Sequence, residues 1–270
     1  MTSTTPARRL KRSTRRKLFR GTLYVVFVAA FAALVLAADW PAIQESFFDV
    51  DILLDNWPGI LTVAAKNTVI YTIIAFLGGL ALGLVLALMK LSPVAPYRWV
   101  STAYIEFFRG LPALLVIFAF AYAVPIAFQW RPPGGNAGAG LLGLIVVSSA
   151  YIAETIRAGI QAVPKGQVEA AQSLGMPPFW STVSIVLPQG FRIVVPPLTN
   201  ELVIIIKDTS LLFIAGMAAQ SRELTTFARD AVSTTANSTP LIAAAIMYLV
   251  ITLPLTRLVA HLERRSQRAR

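Results

Sequence analysis

The sequence predicts an all-α integral membrane protein with about six transmembrane helices, and three observations support this prediction. First, 56% of the 270 residues are hydrophobic and only 14% are charged, whereas soluble proteins average roughly 25% charged residues. Second, a spanning helix needs about 20 mostly apolar residues, and uncharged runs of that scale lie at 21–38, 67–89, 110–130, 132–153 and 231–256. Third, basic residues gather at both ends of the chain, next to such runs.

The distribution of charge predicts the orientation of the chain. Residues 1–20 hold eight of the 24 Lys and Arg residues, and residues 257–270 hold five more. The positive-inside rule places such clusters in the cytoplasm, so we expect both termini to be cytoplasmic. Segment 39–59 carries five acidic residues and no basic residue, which indicates an outer loop. Two inner termini require an even number of crossings, and six are reached by counting a weaker segment at 185–213. Because the basic residues cluster beside apolar segments at both ends, the net charge of +11 favours contact with membrane lipid rather than with nucleic acid.

The first half of the chain divides as follows. Residues 1–20 form a basic arm that we expect to be disordered. A helix at 21–38 follows. Its basic flank resembles that of a signal peptide, but the apolar run is longer than a signal-peptide core, and an even number of crossings requires this helix to be retained. The second helix covers 60–89, with Gly78, Gly79 and Gly83 on a face suited to close helix contact. The third covers 101–128, with kinks expected at Pro112 and Pro125.

The second half begins after an outer turn at Arg131. The fourth helix covers 140–162, and an inner loop at 163–184 follows. We expect the fifth segment, 185–213, to be broken at Pro196-Pro197. A polar outer stretch at 217–239 leads to the last helix at 240–261. The predicted organisation is a basic arm at 1–20, an extra helix and outer loop at 21–58, a main helical domain at 59–262 and a basic tail at 263–270.

Ionisable residues within apolar segments are the first candidate functional residues, because placing them in a bilayer is costly. Glu154 and Arg157 lie three residues apart and so share a helix face. They either steady the inner loop as an ion pair, which we favour, or line a pathway. The fifth segment adds Arg192, Asn200, Glu201, Lys207, Asp208, Thr209 and Ser210. Broken helices at mid-bilayer often build substrate sites, but the charges in this segment can equally pair with one another at a subunit interface.

The inner loop contains a short helix with well-defined ends. Pro164 precedes a run of good helix formers, and Gly175 with Pro177-Pro178 ends it. Ala170 and Ala171 give this helix a smooth face that another protein can approach closely. An ordinary interfacial loop helix would have the same pattern.

A family resemblance bears on that choice. Glu169-Ala170-Ala171, followed by Gly175 and then by Ile185-x-Leu187-Pro188, resembles the EAA motif of ATP-binding cassette (ABC) importer permeases. Further matches look like the polar amino-acid branch: Phe108-Arg109-Gly110-x-Pro112, Tyr151-Ile-Ala-Glu154-x-x-Arg157-x-Gly159-Ile160, Pro164-Lys-Gly-Gln167, Leu187-Pro-Gln189 and Lys207-Asp-Thr-Ser-Leu211. The resemblance covers roughly residues 59–262. Ala158 departs from it by standing where Gly is common, and the helix at 21–38 is an addition to the five-helix core.

The resemblance implies a type I importer fold and a transport subunit rather than an enzyme. Its coupling helix, seated in a cleft of an ABC ATPase subunit, would be formed by Lys165, Gly166, Gln167, Glu169, Ala170, Ala171 and Gly175. The partners it implies are the ATPase dimer, a second permease that is identical or related, an extracytoplasmic substrate-binding protein and a polar amino acid. Our guess for that amino acid is glutamate or glutamine. Cationic Lys207 or Arg192 would meet its carboxylate, and Glu201 or Asp208 its ammonium group. The implied location is the plasma membrane of a bacterium.

Cofactor chemistry is not expected in this chain. It lacks the Gly-x-x-x-x-Gly-Lys-Ser/Thr phosphate loop, so ATP and Mg would be bound by the partner ATPase. With no Cys and a single His, His261, no metal site is expected either.

Three other classes of protein remain as alternatives. A self-sufficient secondary transporter commonly has internal repeats with paired broken helices, whereas this sequence shows no repeat and one candidate break. An intramembrane enzyme would need a catalytic pair or metal cluster that the sequence does not offer. A structural membrane subunit fits the hydropathy but does not explain the coupling-helix motif.

Overall fold

The computed structural model describes residues 12–130 and 132–268, which form helices joined by short turns, with no strand in these two ranges. The α-helices in chain order are α1 (Arg12–Ala37), α2 (Trp40–Phe47), α3 (Val50–Gly59), α4 (Lys66–Leu91), α5 (Ala95–Gly110), α6 (Ala113–Phe118), α7 (Val124–Phe128), α8 (Gly135–Gln161), α9 (Lys165–Ser173), α10 (Pro178–Ser181), α11 (Leu187–Asp208), α12 (Leu224–Thr235) and α13 (Thr239–Arg268). Three π-helical turns precede α4, α7 and α11, at Ile60–Ala65, Ala119–Ala123 and Thr182–Val186.

The chain divides into two compact units, residues 1–49 and 50–270. In the first unit, α1 begins at Arg12, so the disorder predicted for residues 12–20 is wrong; residues 1–11 lie outside the described part. No residue of the apolar stretch Phe19–Ala37 is buried within the molecule, as expected of a helix that faces lipid. Asp39 caps α2 by accepting a hydrogen bond from the amide of Ala42 at 3.1 Å.

The second unit is built around α8, which packs most extensively on α4. The predicted glycine face of α4 makes this contact. A Cβ atom at Gly83 would lie 2.9 Å from the carbonyl oxygen of Ser149, and one at Gly78 would lie 3.0 Å from Ile145 Cδ1. A second apolar cluster joins the π turn before α4 to α12 and α13. The predicted outer loop at 39–59 is helical, since α2 and α3 occupy most of it.

The predicted third helix, 101–128, is two elements rather than one, because the kink predicted at Pro112 is a full break. α5 and the stretch Ala113–Phe128 meet at 105°, and the residues between them, Leu111 and Pro112, are extended with ψ values of 143° and 129°. A proline pushes the preceding residue out of the helical region, which explains the break. Pro125 instead begins α7 directly after a π turn.

The break predicted at Pro196-Pro197 is wrong. α11 continues through both prolines and ends at Asp208, where a 3₁₀ segment, Thr209–Ala215, takes over. Pro196 is buried, and the hydroxyl of Thr199 donates to the carbonyl of Val195 at 2.8 Å. Neighbouring helices and Thr side chains are the groups that make proline tolerable inside a spanning helix.

By length and composition, four helical segments of the described residues can cross a membrane: Phe19–Ala37, one within Trp40–Leu91, Gly135–Gln161 and Thr239–Arg264. The bent pair of α5 with Ala113–Phe128 raises the number to five. α11, which carries the predicted fifth segment, is not among them. α13 continues to Arg268, so the predicted tail is helical as far as that residue.

Candidate functional site

α9 is the short helix that the sequence predicts in the inner loop. Pro164 precedes it in an extended conformation with ψ 126°. Its last turn is closed by Gly175 at φ +84°. The amide of Gly175 donates to Gln172 O at 2.9 Å, and that of Met176 to Ala171 O at 3.1 Å. This pair of hydrogen bonds is the Schellman motif, in which glycine is favoured because it adopts positive φ without strain.

Most of the predicted coupling residues on α9 are accessible. Lys165, Gly166, Gln167, Glu169 and Ala170 are exposed, whereas Ala171 is only 7% exposed and packs into this chain. A groove of about 570 Å³ runs along the helix and is lined by Gln167, Ala170, Ala171, Leu174, Met176 and Ile185. Leu174 is 89% exposed, so this face offers apolar surface that nothing in the described chain covers.

α9 is also tied to the start of α11. The side-chain amide Nε2 of Gln189 donates to Oε1 of Gln167, 22 residues away in sequence. Both residues lie in the first turn of their helices.

Glu154 and Arg157 pair at the end of α8 that leads to α9. Nε of Arg157 donates to Glu154 Oε2 at 3.0 Å, and Nη2 donates to Glu154 Oε1. Lys90, in the last turn of α4, contacts the same carboxylate at 3.3 Å. The sequence analysis missed Lys90, whose position where the apolar run of α4 ends was the available signal.

The candidates of the fifth segment are distributed around α11 and the 3₁₀ segment after it. Glu201 and Asp208 are half-buried, and the charge of Asp208 acts on Glu201. Asn200 and Lys207 are exposed. Arg192 is exposed nine residues nearer the start of α11, so the structure does not bring it to Glu201. Thr209 is buried and donates to Ile206 O at 2.6 Å, and Ser210 is half-buried.

Arg109 completes this group, although the sequence analysis named it only within a motif. It ends α5 beside the break, and its charge also acts on Glu201. Its Cζ lies 5.3 Å from the ring centroid of Tyr151 on α8, within cation–π range. Tyr151 and Glu154 are one turn apart on α8. We call the set Lys90, Glu154, Tyr151, Arg109, Glu201 and Asp208 the polar track.

Exposed charged and amide side chains lie on the helices α5 and α11, which carry part of this track. Glu106 and Arg109 on α5, and Asn200 and Lys207 on α11, are all exposed. α4 and α13 instead expose apolar side chains, among them Leu77, Leu84, Leu249 and Leu253. Ionisable side chains at membrane depth face protein or water rather than lipid. The α5–α11 face thus differs in character from the apolar faces of α4 and α13.

Glu223 is a buried acid that the sequence analysis missed. It caps α12 with its side chain 0% exposed. Its carboxylate accepts hydrogen bonds from the amides of Thr225 and Thr226 at 2.5 and 2.6 Å and from the hydroxyl of Tyr248 at 3.2 Å. Burial raises the pKa of this carboxyl group. The sequence pattern that could have identified Glu223 is Glu followed by Leu-Thr-Thr at the start of an amphipathic run, which is typical of a helix cap. Within 12–130 and 132–268, no group of three or more His, Cys, Asp or Glu residues forms a metal site.

Comparison with known proteins identifies the family. Residues 79–268 match the family model described as binding-protein-dependent transport system inner membrane component. The chain is 38% identical over 224 residues to the Probable glutamine ABC transporter permease protein GlnM of Bacillus subtilis, covering 82% of this chain and 99% of that protein. It is 33% identical to the Glutamate/aspartate import permease protein GltK of Escherichia coli O6:H1, covering 84% and 98%.

A solved structure gives the same result. The crystal structure of an amino acid ABC transporter with histidines aligns with a TM-score of 0.72 at 35% identity, covering 80% of this chain and 98% of that chain. The matches extend over both α9 and α11, which carry most of the candidate residues. The chain therefore belongs to the binding-protein-dependent transport system inner membrane component family and is a multi-pass permease subunit of an ABC importer.

Proposed function

We propose that this permease imports polar amino acids, driven by a separate ATPase dimer that docks on α9. The observation that carries the proposal is the exposed α9 with the motif Glu169-Ala170-Ala171. Its ends are fixed by Pro164 and Gly175, and Leu174 is almost fully exposed. A surface helix with an apolar residue at its end, Leu174, and an exposed carboxylate, Glu169, is suited to insertion into a cleft of another protein.

The proposed topology has six crossings and two cytoplasmic ends. α11 supplies a further crossing that a test based on composition does not detect because of its charged residues. Two of these residues, Glu201 and Asp208, are half-buried. The five Trp residues support the count, since Trp favours both membrane interfaces. Trp40, Trp57 and Trp130 fall at the proposed outer ends of spans, and Trp99 and Trp180 at the inner ends.

The proposed substrate path follows the polar track beside the break between α5 and α6. A break in a spanning helix frees backbone groups for ligands, and this break adjoins Arg109. A zwitterionic amino acid needs both a cation and an anion, which Arg109 or Lys207 and Glu201 or Asp208 provide. Two relatives named for glutamine and for glutamate/aspartate favour glutamine or glutamate as the substrate. A second permease, identical or related, would cover the exposed α5–α11 face, and an extracytoplasmic binding protein would deliver the substrate.

Co-purification and reconstitution test this function. The tagged chain should carry an ABC ATPase subunit out of the membrane. Proteoliposomes holding the complex should import radiolabelled glutamine or glutamate when ATP and the binding protein are supplied. Import without ATP, driven by an ion gradient alone, would show a secondary transporter instead.

Glu201→Gln tests the path separately from docking. It removes the negative charge at the centre of the track, so loaded binding protein should no longer stimulate ATP hydrolysis, while the ATPase still co-purifies. Glu263→Gln, an exposed change on α13, is the matched control and should behave as wild type. Full stimulation of the Glu201→Gln complex would argue against the proposed path.

A further inference from the structure

We propose that the hydrogen bond between Gln167 and Gln189 is the contact through which α9 moves α11, which makes both residues positioning residues of the transport cycle. The inference rests on the proposed function, in which an ATPase moves α9. It assigns the connection between that movement and the substrate path to one pair of side chains.

The backbone alone connects α9 to α11 indirectly. Along the backbone, the first turn of α9 follows α8 through residues 162–164, and its last turn leads to α11 through the Gly175 turn, α10 and a π turn. α9 also packs on α10 and on this π turn. The Gly175 turn is closed by backbone hydrogen bonds, and a Cβ atom at Gly175 would meet nothing within 4 Å. The amide pair bypasses these thirteen intervening residues, 174–186, by joining the first turns of the two helices directly.

α11 is suited to carry the movement onward. It is one uninterrupted helix from Leu187 to Asp208. At a rise of 1.5 Å per residue, Glu201 and Asp208 lie about 18 and about 28 Å along the helix from Gln189. Next to Gln189, α11 also packs closely on α8: a Cβ atom at Gly190 would lie 3.5 Å from Ile160 Cα. A displacement at Gln189 therefore tilts or rotates α11 against α8 and shifts its polar side chains relative to Arg109.

The size of the expected effect follows from the chemistry of the pair. It is a neutral hydrogen bond between partly accessible side chains, and such a bond changes an equilibrium by about two- to tenfold. The pair is thus too weak to hold the fold together. It is strong enough to decide how often hydrolysis of ATP in the partner is accompanied by movement of α11.

The test compares amino acid imported per ATP hydrolysed in proteoliposomes. Gln189→Met keeps the length of the side chain but removes its donor, and should lower this ratio about two- to tenfold while the ATPase still co-purifies. Among complexes that retain the ATPase, Gln167→Met/Gln189→Met should be no worse than Gln189→Met alone, because the same bond is lost. Gln172→Met is the matched control: its side chain is exposed on α9 and makes no hydrogen bond among the described residues. Its effect should simply add to that of Gln189→Met.

A restored pair separates positioning from general damage. Gln167→Glu/Gln189→Lys keeps an acceptor at 167 and a donor at 189, so it should recover the ratio that Gln189→Lys alone loses. An unchanged ratio in Gln189→Met, additive effects at 167 and 189, or no recovery by the Glu/Lys pair would overturn the inference. If the wild-type chain neither binds an ATPase nor imports, it is the proposed function that fails.

Discussion

At the scale of single residues, Glu223 shows how an acid is accommodated in the interior of the bundle. Its carboxylate is fully buried, yet amides and hydroxyls of Thr225, Thr226 and Tyr248 surround it. The amide of Leu224 donates to the hydroxyl of Thr68 at 3.1 Å, so α12 is joined to α4 at the same place. A buried acceptor with this many donors is costly to remove, because each donor would be left without a partner.

The raised pKa of Glu223 predicts a pH dependence of stability. The folded protein holds this proton more tightly than the unfolded chain does, so the stabilisation is complete below the ordinary pKa of glutamate. It is lost as the pH rises through the raised pKa of the folded state. Glu223→Gln does not titrate. The Tm of wild type minus that of the variant, measured in detergent, should therefore fall as the pH is raised from about 4, near the ordinary pKa of glutamate. A constant difference would contradict the prediction.

At the scale of helices, the crossing of α8 and α11 depends on one small residue. A Cβ atom at Gly159 would lie 2.0 Å from Cγ2 of Val194, too close for any real contact. Val194 is 5% exposed and belongs to the main apolar core, so it has little room to move. The two helices can approach this closely only because position 159 carries no side chain.

Gly159→Ala should accordingly destabilise the protein by about 1–3 kcal/mol, the usual cost of overpacking. A lowered Tm in detergent would show it. Adding Val194→Ala should recover part of the loss by making room for the new methyl group. Gly110→Ala is the control, since nothing lies within 4 Å of its Cβ position. Equal Tm values for Gly159→Ala and Gly110→Ala would refute the packing argument.

The end of α9 supports a second prediction at this scale. Gly175 has φ +84°, where a side chain with Cβ costs about 1–2 kcal/mol. Gly175→Ala should therefore loosen the last turn and reduce import per ATP in proteoliposomes. Asn tolerates positive φ better than Ala does, so Gly175→Asn should import more amino acid per ATP hydrolysed than Gly175→Ala does. The reverse order of the two variants would count against a role for this backbone conformation.

The same helices show what sequence alone can and cannot predict. The bounds of α9 and its Gly175 end were predictable, because the signals are local: a proline before, a glycine after and helix formers between. Sequence predicts kinks at Pro112 and Pro125 and a break at Pro196-Pro197, whereas the structure bends by 105° at Leu111-Pro112 and keeps α11 helical through both prolines. Sequence shows that proline tends to break a helix, but it does not show how the surrounding helices pack on that proline. Burial of Pro196 and packing of Val194 on α8 keep α11 helical. The hydrogen bond of Gln167 with Gln189 depends on tertiary structure and had no local signal.

At the scale of the whole molecule, the surface of the helical unit has two kinds of face. α4 and α13 expose mainly Leu, Ile and Val side chains, which suit the lipid interior. The α5–α11 face exposes charged and amide side chains, which do not, beside apolar ones such as Phe107 and Phe191. The charged and amide part of this surface is what the proposed second permease subunit would cover.

The proposed topology is testable because the chain contains no native Cys. Ser46, Ser173 and Ser233 are all exposed, and Ser→Cys changes the side chain little. In intact cells, a membrane-impermeant maleimide should label Ser46→Cys and Ser233→Cys but not Ser173→Cys. After the membrane is permeabilised, all three should react. Labelling of Ser173→Cys from outside would place α9 on the wrong side and exclude docking of a cytoplasmic ATPase.

The π turn at Thr182–Val186 has a consequence for the rotational setting of the helix that follows it. A wide turn of this kind corresponds to one additional residue in an α-helix, and one residue turns a helix by about 100°. Deleting a single position from 182–186 would rewind this turn and carry the acidic side of α11 away from Arg109, although every side chain of the polar track would still be present. The geometry of the proposed pathway thus depends partly on the number of residues between α9 and α11, and not only on their identity.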